Sequence, residues 1–358
     1  MAITRVWQSG FEHNEFSKTD YPYEFDSVIT ENVFCTLSPV ADGIGGSYAL
    51  KSTSNGADVA AGFVHTGNLL QFRVGCHFKM SAGVQPDCSV LATKTLAGTI
   101  LYQLVANQLT NQLKLYSGGV YFGGSATLTP GVWHHLALDV LHSATVGWAD
   151  LWLDGNFVYS FGLGNTGAVA VQAIGLGSWP KVAYVAAIAD GRYDNWYIDN
   201  MAGEARGQAP PIYYYKALLP NADGNYSNWV GSDGNRTNNY LLVDEVPPNE
   251  DTDYVFASGT AIKDSYGVGA YTPQVGTLIS SIIPTAIARK TGPENVLLGL
   301  GTRLGGVDVI NTGTSVPATS YSSKFFFERQ TTKPGGGVWE SADVEDVEII
   351  IESGGTYA

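Results

Sequence analysis

The amino-acid sequence predicts an all-β protein made of two tandem β-sandwiches, a larger one followed by a smaller. Composition points there first. The 358 residues include 43 Gly and 20 Tyr while only 15% are charged, so turn residues are plentiful and helix formers scarce. The second observation is period-2 alternation in short segments, spaced too closely for intervening helices. The third is a break in composition near residue 200. Apolar residues at 44% make a packed core feasible and exclude wholesale disorder.

Element by element, Leu69-Leu-Gln-Phe-Arg-Val-Gly-Cys-His-Phe-Lys-Met80 alternates over most of its length, which predicts a strand. Leu113-Lys-Leu-Tyr-Ser117 repeats the pattern. Trp133-His-His-Leu-Ala-Leu-Asp-Val140 leads into Gly147-Trp-Ala-Asp-Leu-Trp-Leu153. Asp154-Gly155 then predicts a hairpin turn, and Phe157-Val-Tyr-Ser-Phe161 the returning strand. After Asn200, Ala202-Gly-Glu-Ala-Arg-Gly-Gln-Ala-Pro-Pro211 is small, polar and closed by Pro-Pro, as an extended linker would be. The expected division is therefore a sandwich over 1–201, a linker over 202–211 and a second module over 212–358. Strands are expected to resume at Ile212-Tyr-Tyr-Tyr-Lys-Ala-Leu-Leu219, followed by a turn-rich stretch over 220–239. Further strand candidates are 240–243, 253–258, 278–289, 295–300 and 323–328. One short helical turn is expected near Ser341-Ala-Asp-Val-Glu345, capped by Ser341.

A formal net charge of −14 argues against a phosphate-backbone binder, so nucleic acid is not an expected partner. No apolar run approaches the roughly 20 residues of a membrane span. The opening Met1-Ala-Ile-Thr-Arg-Val-Trp7 lacks the apolar stretch of a secretory signal, which predicts a cytoplasmic origin. Cys35, Cys76 and Cys88 are odd in number and irregular in spacing. They fit neither a disulfide framework nor a zinc site, and three buried thiols are expected.

Trp7-Gln-Ser-Gly-Phe-Glu12, Gly45-Gly-Ser-Tyr-Ala-Leu50, Pro130-Gly-Val-Trp-His-His-Leu-Ala-Leu138, Leu151-Trp-Leu-Asp-Gly155 and Tyr193-Asp-Asn-Trp-Tyr-Ile-Asp199 occur in that order. Together they resemble the concanavalin A-like lectin/glucanase superfamily, in its laminin-G-like branch. In the second half stand Ala217-Leu-Leu-Pro-Asn-Ala-Asp-Gly-Asn-Tyr-Ser-Asn-Trp229, Asn239-Tyr-Leu-Leu-Val-Asp-Glu245, Pro247-Pro-Asn-Glu-Asp-Thr-Asp-Tyr254 and Val338-Trp-Glu-Ser-Ala-Asp-Val344. They resemble a module of structural proteins of tailed bacteriophages. The two resemblances imply a concanavalin A-like jelly roll followed by a smaller jelly-roll-like sandwich, and a non-enzymatic virion structural protein, a capsid decoration or a tail or fibre component, assembled in the host cytoplasm. Its implied partners are other virion proteins and host surface glycans. A homo-oligomer is expected, a trimer being favoured because closed symmetry multiplies weak contacts. The alternatives are a host-glycan-binding adhesin and, behind it, a polysaccharide depolymerase.

Glycoside hydrolysis needs two carboxylates facing one sugar, and enzymes of the resembled superfamily carry them as Glu-x-Asp-x-x-Glu or a near relative. No such string occurs. Asp87, Asp139 and Asp150 read as solvated face residues or turn anchors. His134 and His135 are adjacent, so on a strand they point to opposite faces and form no joint clamp. The resemblance implies a structural calcium on Glu12, Gly46 and Asp194, hard oxygen ligands from distant segments. Asp223-Gly-Asn225 and Asp233-Gly-Asn235 read as Asp-Gly turns rather than calcium loops. Asp244, Glu245, Glu250, Asp251 and Asp253 form the densest acidic run, read as a solvated face. Trp148, Trp152, Trp179, Trp196, Tyr184, Tyr193 and the run Tyr213-Tyr-Tyr215 are core, sugar-stacking or interface candidates. No glycan-binding residue is singled out.

Overall fold

The computed structural model describes residues 4–9, 27–30, 36–44, 49–53, 60–83, 88–118, 120–178, 191–246, 248–271, 278–292, 296–311, 313–316, 322–326 and 329–354. The chain is almost entirely β and divides into two compact units, the first running through Lys216 and the second beginning at Ala217.

The first unit contains β1 (Thr4–Ser9), β2 (Ser27–Thr30), β3 (Thr36–Val40), β4 (Ala49–Thr53) and β5 (Ala60–Leu69). Next come β6 (Gln71–Met80), β7 (Cys88–Lys94), β8 (Ile100–Asn107), β9 (Gln112–Ser117) and β10 (Val120–Thr127). They are followed by β11 (Trp133–Leu141), β12 (Gly147–Leu153), β13 (Asn156–Gly164), β14 (Val171–Ser178) and β15 (Gly191–Asn200). One eight-stranded antiparallel sheet runs β13-β12-β11-β6-β15-β4-β3, with β1 also on β15. A seven-stranded sheet runs β10-β9-β8-β7-β14-β5-β2. Phe72, Val74, Cys76 and Phe78 of β6 join Leu136, Leu138 and Val140 of β11 and Leu104 of β8 in one buried cluster. The period-2 pattern of the sequence is what points these side chains inward. Asp154 and Gly155 form the expected hairpin turn between β12 and β13, with φ of 52° and 74°. Positive φ at both central residues is the backbone twist a two-residue hairpin needs.

The second unit contains β16 (Pro220–Ser227), β17 (Val230–Gly231), β18 (Val255–Phe256), β19 (Ile262–Val268) and β20 (Thr285–Ala288). It continues with β21 (Leu297–Leu304), β22 (Val307–Ile310), β23 (Thr314–Ser315), β24 (Ser322–Phe326), helix α1 (Ser341–Asp346) and β25 (Glu348–Gly354). A six-stranded sheet runs β16-β19-β25-β21-β22 with β23 on β21, beside the two-stranded ribbons β17-β18 and β20-β24.

Several expectations for this half are corrected. Residues 212–219 make no strand despite the tyrosine run, because strand propensity without a ladder partner does not make a sheet. The strand lies instead at Pro220–Ser227, inside the stretch expected to be turns. It is an edge strand, opened by a Pro and broken by register shifts, where poor β-formers are tolerated. Residues 239–242 form a 3-10 turn rather than a strand. Only Val255–Phe256 of the 253–258 candidate pairs, and of 278–289 the strand is Thr285–Ala288. Helix α1 is present, but Glu340 holds its N-cap and donates its N–H to Asp343 at 2.7 Å, Ser341 being the first helical residue.

Candidate functional site

The site grows from parity. On β6 the even residues enter the core, so Gln71, Arg73, Gly75, His77 and Lys79 share the other face. On β11 that face carries His135 and Asp139, on β12 Trp148, Asp150 and Trp152, and on β15 Tyr197 and Asp199. A face of this composition would ordinarily be solvated. Here Arg73, His77, His135, Asp139, Asp150, Asn195 and Asp199 are all buried.

Antiparallel register aligns these residues across the sheet. Asp150 stands opposite Asp139, Asp139 opposite Arg73, and Arg73 opposite Asp199. Arg73 Nε and Nη2 each donate at 2.6 Å to one oxygen of Asp139, a bidentate pair with both side chains 2% exposed. Burial opposes charge on the guanidinium, yet the bonds to Asp139 hold its pKa above the ordinary value. Burial pushes the Asp139 carboxyl up, against the pull of Arg73.

What covers the face is the segment expected to be a linker. Gln71 Nε2 donates to Glu204 O at 2.8 Å and its Oε1 accepts Gly203 N at 3.0 Å. Arg73 Nη2 donates to Gln208 O at 2.8 Å, and Tyr197 Oη to Pro211 O at 3.2 Å. Asn195 Oδ1 accepts Tyr215 N at 2.7 Å. Arg206 reaches down to Asp150, Nη2 to Oδ1 at 2.8 Å and Nε to Oδ2 at 3.0 Å. Residues 203–216 are thus a strap whose main chain is read by buried side chains of the sheet. A Cβ at Gly75 would fall 2.4 Å from the Tyr197 ring, so only Gly leaves room for that tyrosine to lie flat beneath the strap.

A second row holds the histidines. His77 and His135 stand opposite each other with ring centroids 5.2 Å apart, and Tyr214 of the strap covers His77 at 5.1 Å. Burial, reinforced by His135, lowers His77 to about 3. Burial lowers His135 to about 4, with Asp154 pulling upward and Arg73 downward. Both are neutral at pH 7. His134 points away as expected: its Nδ1 meets Asp154 at 2.8 Å while Nε2 accepts Thr129 N at 2.9 Å. Chemically, the face offers paired carboxylates and neutral imidazoles enclosed by polypeptide.

The remaining sequence candidates fall as follows. Asp139 and Asp150 are neither solvated nor turn anchors; each is buried and held by an arginine. Their partners lie 66 residues away on β6 and 56 residues away in the strap, which parity alone does not reveal, so in the sequence they stand singly. Asp194 is buried, accepting Ile44 N at 2.8 Å and Asn195 N at 2.7 Å. Glu12, Gly46, Asp87, Cys35, Trp179 and Tyr184 lie outside the described residues, as does the side chain of Cys88; Cys76 is a buried free thiol. Among the described residues no three His, Cys, Asp or Glu side chains gather as a metal site. Trp196 and Tyr193 are core, whereas Trp148 lies under Arg206 on the strap side. Asp233 closes its own turn onto Asn235 at 2.9 Å, and Asp223 accepts Tyr240 N at 3.3 Å. In the acidic run, Asp251 pairs with Arg289 and Asp253 accepts Asn249 Nδ2 at 2.9 Å.

No family model and no curated protein matches this chain. Solved structures do resemble about half of it. Cellulose induced protein Cip1 is 13% identical over 54% of this chain and 96% of its own, with a TM-score of 0.40. A Bacillus subtilis protein of unknown function with a galectin-like fold is 10% identical over 55% and 96%, at 0.38. Alginate lyase vAL-1 from Chlorella virus, an enzyme, is 7% identical over 49% and 100%, at 0.35. The likeness is one of β-sandwich fold alone.

Proposed function

We propose that this chain is a non-enzymatic structural protein of a tailed-phage virion, carrying a lectin-like sandwich and a second β module on the particle. One observation supports the non-enzymatic part. The polar sheet face is filled by residues 203–216, and its two facing carboxylates, Asp139 and Asp150, are each engaged by an arginine. A glycosidase pair must instead flank an open sugar site. The virion part rests on the ordered motifs of the two halves. Mass spectrometry of purified particles is the test: the protein is expected among their components, and its absence overturns the reading. Incubation with host polysaccharide is expected to release no new reducing ends; their appearance would overturn the non-enzymatic half.

Calcium belongs to the same proposal. Asp194 already ties Ile44, two residues before Gly46, to β15, and an ion there with Glu12 would pin the same segments. An ion bound only by the folded state at about 100 times its Kd adds roughly 2.7 kcal/mol. Chelation is therefore expected to lower the melting temperature, and Asp194→Ala to abolish that response.

A further inference from the structure

We propose that the outward face of the β17–β18 ribbon, carrying Tyr254 and Phe256, docks an arginine- or lysine-rich segment of a partner protein. The site lies wholly in the second unit and needs no virion for its use. Parity builds it. Val230 pairs with Phe256 and Gly231 with Val255, and Ser232 N donates to Tyr254 O at 2.8 Å. Val255 turns inward and, like Trp229 and Val243, packs against the buried cluster of Tyr266, Leu298 and Leu300. Alternation then sends Tyr254 and Phe256 to the other side, where they stay 37% and 44% exposed. Their ring centroids lie 6.2 Å apart. Two aromatic faces thus stand side by side in solvent on a main chain that the ribbon holds, and such side chains are enriched at contact surfaces.

The charge around this shelf selects the partner. Residues 230–256 contain six carboxylates, Asp233, Asp244, Glu245, Glu250, Asp251 and Asp253, against one arginine, Arg236. Arg289 comes from outside the segment to pair with Asp251. Among the described residues no lysine or arginine forms an ion pair with the other five. Asp253 immediately precedes Tyr254, and Asp233 follows Ser232, the main-chain partner of Tyr254. Asp253 accepts Asn249 Nδ2 and Asp233 accepts Asn235 N, both at 2.9 Å. These donors are neutral, so they leave the negative charge in place. Burial raises the Glu245 pKa, and the like charges of Asp244 and Asp253 raise it further.

A cation from outside relieves this crowding. A guanidinium or ammonium over either ring meets the negative face of the π-system while facing the carboxylates at the rim. An acidic segment is repelled by the same groups. A neutral sugar stacks on the rings equally well but leaves the carboxylates crowded, so charge complementarity favours the basic polypeptide.

Fluorescence anisotropy of a labelled hexa-arginine peptide, titrated with the full chain at low and at physiological ionic strength, tests this. The peptide is expected to bind, more weakly as salt rises, and a hexaglutamate peptide not to bind. Tyr254→Leu and Phe256→Leu keep apolar bulk and remove the π-face; each is expected to weaken binding about two- to fivefold. Both side chains are exposed, so both variants are expected to fold. Asp253→Asn is expected to weaken binding and flatten its salt dependence. Glu345→Gln on α1 removes the same charge outside the shelf and is expected to leave the affinity unchanged. The proposal is overturned if hexa-arginine does not bind at low salt, if both leucine variants bind like the wild type, or if Glu345→Gln weakens binding as much as Asp253→Asn. Binding of cellohexaose that the leucine variants lose, without binding of hexa-arginine, would assign the shelf to a sugar and overturn it as well.

Discussion

Asp139→Ala leaves Arg73 charged and buried without its bidentate partner. Breaking a buried ion pair by removing one partner costs about 3–5 kcal/mol, and a loss of that size is expected in the urea midpoint of the first unit. Asp264 is the converse case. It is buried, and its Oδ2 accepts Tyr266 Oη at 2.7 Å and Asn239 Nδ2 at 2.9 Å, while no side-chain or main-chain group among the described residues is placed to satisfy its Oδ1 with good geometry. Burial raises its pKa. A raised folded-state value means the native form holds its proton longer than the unfolded chain. The contribution is therefore complete at low pH and lost as pH rises through the folded value. Asp264→Asn is expected to remove that loss, so the melting temperature of variant minus wild type should grow from pH 4 to pH 7. A difference independent of pH would mean that Asp264 is ionised throughout.

At the scale of elements, the strap redefines where the first unit ends. A fragment stopping at Met201, the boundary expected from composition, leaves Arg73, Asp150, His77 and Tyr197 without their cover. A fragment stopping at Lys216 keeps it. The shorter one is expected to melt at lower temperature, by roughly 2–4 °C for each kcal/mol lost in a unit of this size. Equal melting temperatures would show that the strap contributes nothing to stability. The hairpin turn makes a smaller prediction. Gly155→Ala places a Cβ in left-handed backbone at φ 74°, expected to cost about 1–2 kcal/mol by chemical denaturation. The turn was legible because Asp-Gly has a local conformational meaning. The strap was not, because small polar residues ending in Pro-Pro describe an extended chain equally well on a sheet or in water.

For the whole molecule, the proposed virion role predicts a symmetric homo-oligomer, a trimer, since closed symmetry multiplies weak contacts without open-ended growth. Light scattering on the full chain is expected to give three times the monomer mass; a monomer at high concentration, with isolated single copies in a particle map, would end that proposal. What the sequence by itself determined is local in origin. Alternation along β6, β11 and β12 set which side chains enter the core, and Asp154-Gly155 set a turn. Composition excluded helices as the main element. Tertiary structure alone decided the pairing of Arg73 with Asp139, of Arg206 with Asp150, and of His77 with His135 beneath Tyr214. The physical reason is that strand register and strap docking join residues far apart in the chain, so their burial and charge depend on partners that no local pattern encodes.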